Sequence, residues 1–336
     1  GIALIGIGKV LGFESGVVAG AVISGAYFGD KMSPLSDTTN LAAAVAGSDL
    51  FEHIKYMTIT TIPTISIALI FFIIYNLFNI PYENLNAINY VESIAEYFFV
   101  SPILFIVPII VIFMISKKIN PIISLFVGTI LAAIFALFFQ SDLINDIVSQ
   151  SENESVSFYT IIMDSIVTKT SIETNSLFLT ELFTSGGMSG MLNTIWLVIC
   201  AMIFGGSMEA IGALKTISLS LINFAKSTFS LFANTIVSCL AVNITASDQY
   251  LSIVIPGKMY SKAFEDRNLS SLNLSRTIED SGTVTSVLIP WNTCGAYQYS
   301  VLNVSVYDYF VFAIFNWLSP FMTLFIALIN YKIKKL

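Results

Sequence analysis

Several stretches of this chain are too long and too apolar for the interior of a water-soluble domain. Residues 56–78 (YMTITTIPTISIALIFFIIYNLF), 98–116, 120–140 and 307–330 are nearly free of charge, and each has about the 20 residues a helix needs to cross the hydrocarbon. Lipid offers no hydrogen-bond partner to a backbone group, so chains cross it as helices or closed barrels, and runs of this length select helices. Hydrophobic residues make up 55% of the 336, charged residues only 11%, and the mean hydropathy is +0.81. The expected fold class is therefore an all-α polytopic membrane protein, with the lipid bilayer as its surroundings. A net charge of −7 and no basic aromatic patch give no reason to expect nucleic acid. Cys200, Cys239 and Cys294 lack CxxC spacing and a histidine cluster. They read as small buried hydrophobes, with no zinc site or disulfide framework.

Against this background, "AYFGDKMSPLSDTTN" (26–40) concentrates oxygen. It carries Asp30, Ser33, Ser36, Asp37, Thr38, Thr39 and Asn40, with Lys31 and Pro34 among them. The pattern returns in "EDSGTVTSVLIPWNTCG" (279–295). Asp30 is followed by hydroxyls at +3 and +6 (Ser33, Ser36) and then by Thr39-Asn40. Asp280 is followed by Thr283 and Ser286 and then by Asn292-Thr293. Pro34 and Pro290 interrupt any helix through the two motifs. Irregular backbone at membrane depth survives only where protein or a wet cavity encloses it. Paired breaks in two halves of a chain point to a transporter site between structural repeats.

The segment 1–29 reads as one helix rich in Gly, Ala and Ser, suited to close helix packing. A short amphipathic stretch is expected at 47–55 and a polar loop at 257–279. The expected organisation is an incomplete first repeat (1–140) with the motif at 29–40, an acidic extracytoplasmic connector (141–190), and a second repeat (191–336) with the motif at 279–295. Lys117-Lys118, the basic 257–276 loop and Lys332, Lys334 and Lys335 are expected on the cytoplasmic side, which places the C-terminus there. The chain opens on Gly1 inside an apolar run, and further N-terminal spans are expected before it.

"GAYFGDKMSPLSDTTNLAAAVAGSDLFEHIKYM", "ASDQYLSIVIPGKMY" and "LNLSRTIEDSGTVTSVLIPWNTCGAY" together resemble the NhaC family of sodium/proton antiporters, over essentially the whole chain. That family includes exchangers of organic acids such as malate and lactate. The resemblance implies an inverted-repeat ion-transporter architecture with discontinuous or re-entrant helices, in the cytoplasmic (inner) membrane. It implies a secondary active transporter exchanging sodium for protons, with a sodium- or proton-coupled organic-acid antiporter as the alternative. No cofactor is expected beyond the transported Na+ and H+, and a homo-oligomer is compatible with the sequence. HExxH, GxSxG and a Ser/His/Asp set are absent, so an enzyme is not expected.

A hard cation takes carboxylate, hydroxyl, amide and carbonyl oxygens, all of which the motifs supply. The expected ion-binding set is Asp30, Ser33, Ser36, Asp37, Thr38, Thr39, Asn40, Asn243, Asp248, Asp280, Asn292 and Thr293, with Asp37 or Asp280 the carboxylate for which sodium and the proton compete. Each has a plainer alternative. Asp30 could pair with Lys31, and Glu279-Asp280 could pair with Arg276, one helical turn earlier. Ser33, Ser36 and Asp248 could cap helices. His53 reads as interfacial, and Trp291 as packing or a cavity wall.

Overall fold

The structure, a computed structural model, describes residues 1–79, 93–117, 119–150, 157–174, 177–222, 225 and 227–336. Lys118, Lys226 and the acidic stretch 151–156 lie outside the described residues. Regular structure among the described residues is helical, with isolated β-bridges at Thr170–Ser185 and Leu269–Lys335. By packing, residues 1–82 with 194–336 form one unit and residues 83–193 another.

In the smaller unit, helices Ile106–Ser116, Pro121–Phe139, Ser141–Gln150 and Phe158–Val167 follow a 3-10 turn at Pro102–Phe105. The Gln140 amide clasps the Phe99 backbone, accepting from its N–H at 2.9 Å and donating to its carbonyl at 3.0 Å.

In the larger unit, numbered on its own, α1 is Ile2–Val10, α2 Ser15–Lys31, α3 Asp37–Ala46 and α4 Leu50–Phe78. These are followed by α5 Leu192–Ala210, α6 Ala213–Ile222, α7 Thr228–Ala246 and α8 Gln249–Glu265. Then come α9 Ser271–Ile278, α10 Thr293–Leu302 and α11 Ile314–Leu328. Among the described residues, four helices are long and apolar enough to cross a membrane: Leu50–Phe78, Ile122–Phe139, Gly187–Ala210 and Thr228–Ala246. The outward faces are apolar: on α4, Ile62, Leu69, Ile70, Ile73, Leu77 and Phe78 are all exposed. The interior holds Lys31, His53, Arg276, Glu279 and Asp280 at 0% exposure. Apolar outside and ionisable inside is the arrangement of a protein solvated by lipid.

Several expectations are corrected. The 1–29 helix is two helices, parted at residues 11–14 where Gly12 adopts a φ of 80° that side chains resist. Its small residues do permit close approach. A Cβ on Gly16 would sit 2.4 Å from the Asp308 carbonyl oxygen, and one on Gly20 would sit 2.4 Å from the Phe312 carbonyl carbon. The 47–55 stretch is not separate: Gly47, at φ 74°, ends α3, and Asp49 caps α4 by accepting from the Glu52 N–H. The 257–279 loop shrinks to residues 266–270. The polar residues flanking it lie on α8 and α9, whose inner faces bury Tyr260, Phe264, Leu272, Leu274 and Ile278. The 307–330 run breaks before α11, which keeps 15 residues. Of the cysteines, Cys239 is buried, Cys294 half-buried and Cys200 exposed on α5.

Candidate functional site

The first motif is the joint between α2 and α3. Met32 ends α2, and Ser36 starts α3 by accepting from the Thr39 N–H. Thr39 Oγ1 donates back to the Lys31 carbonyl at 3.2 Å, and the Asn40 amide donates to the carbonyls of Pro34 and Ser36 at 2.9 and 2.6 Å. Ser33 Oγ accepts from the Leu35 N–H. Ser33, Ser36, Thr39 and Asn40 thus hold the motif's own turn in shape, as caps do.

The second motif keeps a helical course while changing its pitch. After α9, Glu279–Thr283 forms a π-helical turn and Ser286–Leu288 a 3-10 turn. Ile289 is extended, and Asn292 caps α10 by accepting from the Cys294 N–H. A π turn displaces carbonyls from the usual ladder, and inside lipid each must find a partner. The amide of Asn243 (α7) donates to the Gly282 carbonyl at 2.7 Å, and that of Asn316 (α11) donates to the Val284 carbonyl at 2.8 Å. Tyr309 Oη donates to the Val287 carbonyl at 2.8 Å. Gly282 packs closely on the neighbouring helix, where a Cβ would lie 3.0 Å from Ser252 Oγ and 3.1 Å from the Ser252 carbonyl oxygen.

The two motifs meet. Lys31 Nζ donates to Asp280 Oδ1 in an ion pair with both side chains fully buried. Thr323 Oγ1 on α11 donates to Asp280 Oδ2 at 2.5 Å, so both oxygens of that carboxylate are engaged. Thr38 Oγ1 donates to Glu279 Oε1 at 3.3 Å. It also lies 3.5 Å from Asp30 Oδ2, which accepts from Ser36 Oγ at 3.0 Å. The junction thus runs from exposed Asp30 through Ser36 and Thr38 to buried Glu279, beside the Lys31–Asp280 pair.

Asp37 is exposed at the start of α3; its carboxylate accepts from the Thr38 N–H at 2.9 Å and from Tyr250 Oη. Asn243, Asn292 and Thr293 form a separate amide and hydroxyl group. Asn292 donates to Asn243 Oδ1 at 3.2 Å, and Thr293 N–H donates to the Ser247 carbonyl at 3.0 Å. Asp248 caps α8, accepting from the Leu251 N–H at 2.9 Å. The adjacent Gln249 Oε1 accepts from Ser286 Oγ at 3.2 Å.

Some pairings differ from expectation. Lys31 pairs with Asp280 across the fold, not with its neighbour Asp30. Arg276 pairs with neither Glu279 nor Asp280. Its guanidinium is fully buried 4.6 Å from the Tyr56 ring centre, with no hydrogen-bond partner among the described residues. His53 is fully buried rather than interfacial, and neither ring nitrogen has a hydrogen-bond partner among the described residues. Trp291 is half exposed and donates its indole N–H to the Ile244 carbonyl at 2.9 Å. Glu279 and Thr323 belong to the junction, with Thr283 on the same π turn, and all three stand outside the expected ion-binding set. The Glu279-Asp280 doublet and the motif hydroxyl Thr283 were visible signals, whereas Thr323, one hydroxyl in an apolar run, gave none.

A family model described as the Na+/H+ antiporter family matches residues 25–331. The chain is 35% identical over 335 residues to the Na(+)/H(+) antiporter NhaC of Alkalihalophilus pseudofirmus, covering 100% of this chain and 70% of that protein. It is 33% identical over 332 residues to the Na(+)/H(+) antiporter NhaC of Bacillus subtilis, covering 98% of this chain and 70% of the relative. The Malate-2H(+)/Na(+)-lactate antiporter of Bacillus subtilis is 32% identical over 333 residues, covering 98% and 67%. The chain thus spans from 66% to 70% of the length of the curated relatives it matches. No solved structure gives a significant match.

Proposed function

The chain belongs to the Na+/H+ antiporter family, and from that premise we propose that it exchanges sodium for protons across the cell membrane where its two polar motifs meet. One observation carries the placement: residues from both motifs share a buried junction, through Lys31–Asp280 and Thr38–Glu279. Ionisable groups inside a lipid-solvated bundle are costly, and they mark ion pathways by default. Competition supplies the mechanism. A carboxylate in the bundle holds either a proton or a cation, so loading one from one side releases the other. The carboxylates available are Asp30 and Asp37 from the first motif and Glu279 and Asp280 from the second. The remaining oxygens of the expected set serve as neutral ligands or as caps. The broken segments around 32–36 and 284–292 act as corresponding interruptions of two inverted repeats, with 141–190 as the connector between them.

The Lys-bearing C-terminal tail pairs with the 266–270 turn, where Ser270 N–H donates to the Lys334 carbonyl at 3.0 Å and Leu336 N–H donates to the Asn268 carbonyl at 3.0 Å. Basic residues gathered at one end support a cytoplasmic C-terminus.

The test is dye quenching in proteoliposomes holding a proton gradient. Sodium is expected to dissipate the gradient with the unaltered chain and to fail with Asp37→Asn or Asp280→Asn. Exchange retained in both variants would remove these two carboxylates from the mechanism. A second reading, organic-acid exchange, draws on one observation. A carboxylate substrate needs a cation, Lys31 is already paired, and Arg276 is buried without a hydrogen-bond partner among the described residues. Proton movement that requires malate or lactate in addition to sodium would select it.

A further inference from the structure

Taking sodium as the cargo, as proposed above, we infer that Glu279, and not its neighbour Asp280, is the carboxylate ligand of the transported cation, with the hydroxyls of Thr38 and Thr283 beside it. The two acids are adjacent in sequence and equally buried, at 0% exposure, but differ in what their oxygens hold. Asp280 has its oxygens closed, one by Lys31 and the other by Thr323. A cation reaching it would first have to displace a buried ammonium. Glu279 has one oxygen on Thr38 and the other, Oε2, without a partner among the described residues. Thr283, four residues along the same π-helical segment and 1% exposed, has its Oγ1 likewise without a hydrogen-bond partner among the described residues.

Thr38 sharpens the case. A hydroxyl has one proton to donate, yet Thr38 Oγ1 stands between Asp30 and Glu279 and can satisfy only one carboxylate at a time. Unsatisfied oxygens in a dry site are costly, and a small hard cation, which takes oxygen ligands alone, relieves that cost. Glu279 and Thr283 both lie on the π turn, and Asn243 and Asn316 occupy the Gly282 and Val284 carbonyls, which leaves these amides unavailable to the two acid and hydroxyl oxygens. Asp30, Ser36 and Thr38 then line the approach from the exposed end.

The test is sodium-dependent thermal stabilisation of the detergent-purified chain, with choline chloride as the ionic-strength control, run alongside dye-quench exchange. The unaltered chain is expected to be stabilised by sodium over choline. Glu279→Gln is expected to weaken apparent sodium affinity at least tenfold. Thr283→Val, which keeps the shape and removes the oxygen, is expected to weaken it several-fold, with Thr283→Ser restoring it. If Glu279→Gln does not fold, the Thr283 pair decides on its own. A Glu279→Gln protein with unchanged sodium affinity overturns the assignment, as does Thr283→Val behaving like Thr283→Ser. Sodium stabilisation without any exchange would sink the antiport reading and leave the ligand assignment standing.

Discussion

The two polar motifs are alike in composition and opposite in setting. In the second, every residue from Glu279 to Ile289 is buried, and exposure begins only beyond that run, at Trp291. In the first, buried Lys31, Ser36, Thr38 and Thr39 alternate with exposed Asp30, Pro34, Asp37 and Asn40. The second motif therefore meets its polar demands from within the protein, taking one amide each from α7 and α11. The first meets them mostly from its own turn, with solvent or headgroups for the remainder. The second thus supplies a fixed polar floor, and in the proposed mechanism the first is the edge by which ions reach it. Lys31 and Thr38 are the members of the first motif that bond across to the second.

The largest expected effect comes from breaking the bond between the two. Lys31→Met strands Asp280 as an unpaired buried charge and should cost about 3–5 kcal/mol. Because the pair also carries its own desolvation cost, Lys31→Met combined with Asp280→Asn should recover most of that loss. Unfolding midpoints of both variants in mixed detergent micelles check this, and a double variant no better than the single one would deny the pairing. Next in size is the floor itself. Asn243→Ala leaves the Gly282 carbonyl without its amide donor and takes one of two acceptors from the Asn292 amide, which keeps the backbone carbonyl of residue 243, for about 1–2 kcal/mol. Gly282→Ala presses a methyl onto Ser252 and should cost about 1–3 kcal/mol by overpacking. Equal sensitivity at Asn40, which serves the exposed turn, would erase the distinction between floor and edge.

The sequence carried the membrane character, the two motifs and their family resemblance. All of these are local in the chain, written as runs or short spacings. Where charges pair was not legible, because pairing is decided by which helices pack. Lys31 sits beside Asp30 in sequence, yet at the end of α2 it meets Asp280, 249 residues away. Arg276 and Asp280 are one turn apart on paper, but the change of pitch at Glu279 removes the regular helical register that such a pairing assumes. His53 lies in a stretch that looks interfacial, yet it sits in the first turn of α4 with its side chain fully buried. Caps were more legible: Ser36, Asp248 and Asn292 are residue types that favour the position, and each caps a helix.

Smaller effects belong to the edge. Ser36→Ala removes the α3 cap and a hydrogen bond to Asp30, worth about 1 kcal/mol together, with a larger proportional effect on exchange than on stability. The smallest is the most informative about setting. Lys334 and Glu52 form an ion pair of ordinary length, 3.1 Å, with side chains 49% and 62% exposed. On paper it is the same interaction as Lys31–Asp280, one ammonium on one carboxylate. Water and salt screen the exposed pair, and two long side chains lose rotamer freedom to make it, so Lys334→Ala should move the unfolding midpoint by about 0–0.5 kcal/mol. Raising the salt from about 0.1 M, where the Debye length is about 10 Å, to about 1 M should abolish even that difference. The Lys31→Met loss should persist, because salt screens a fully buried pair far less than an exposed one. If instead the two losses shrank together with salt, the junction would be open to solvent, and the floor and the edge would share one electrostatic environment.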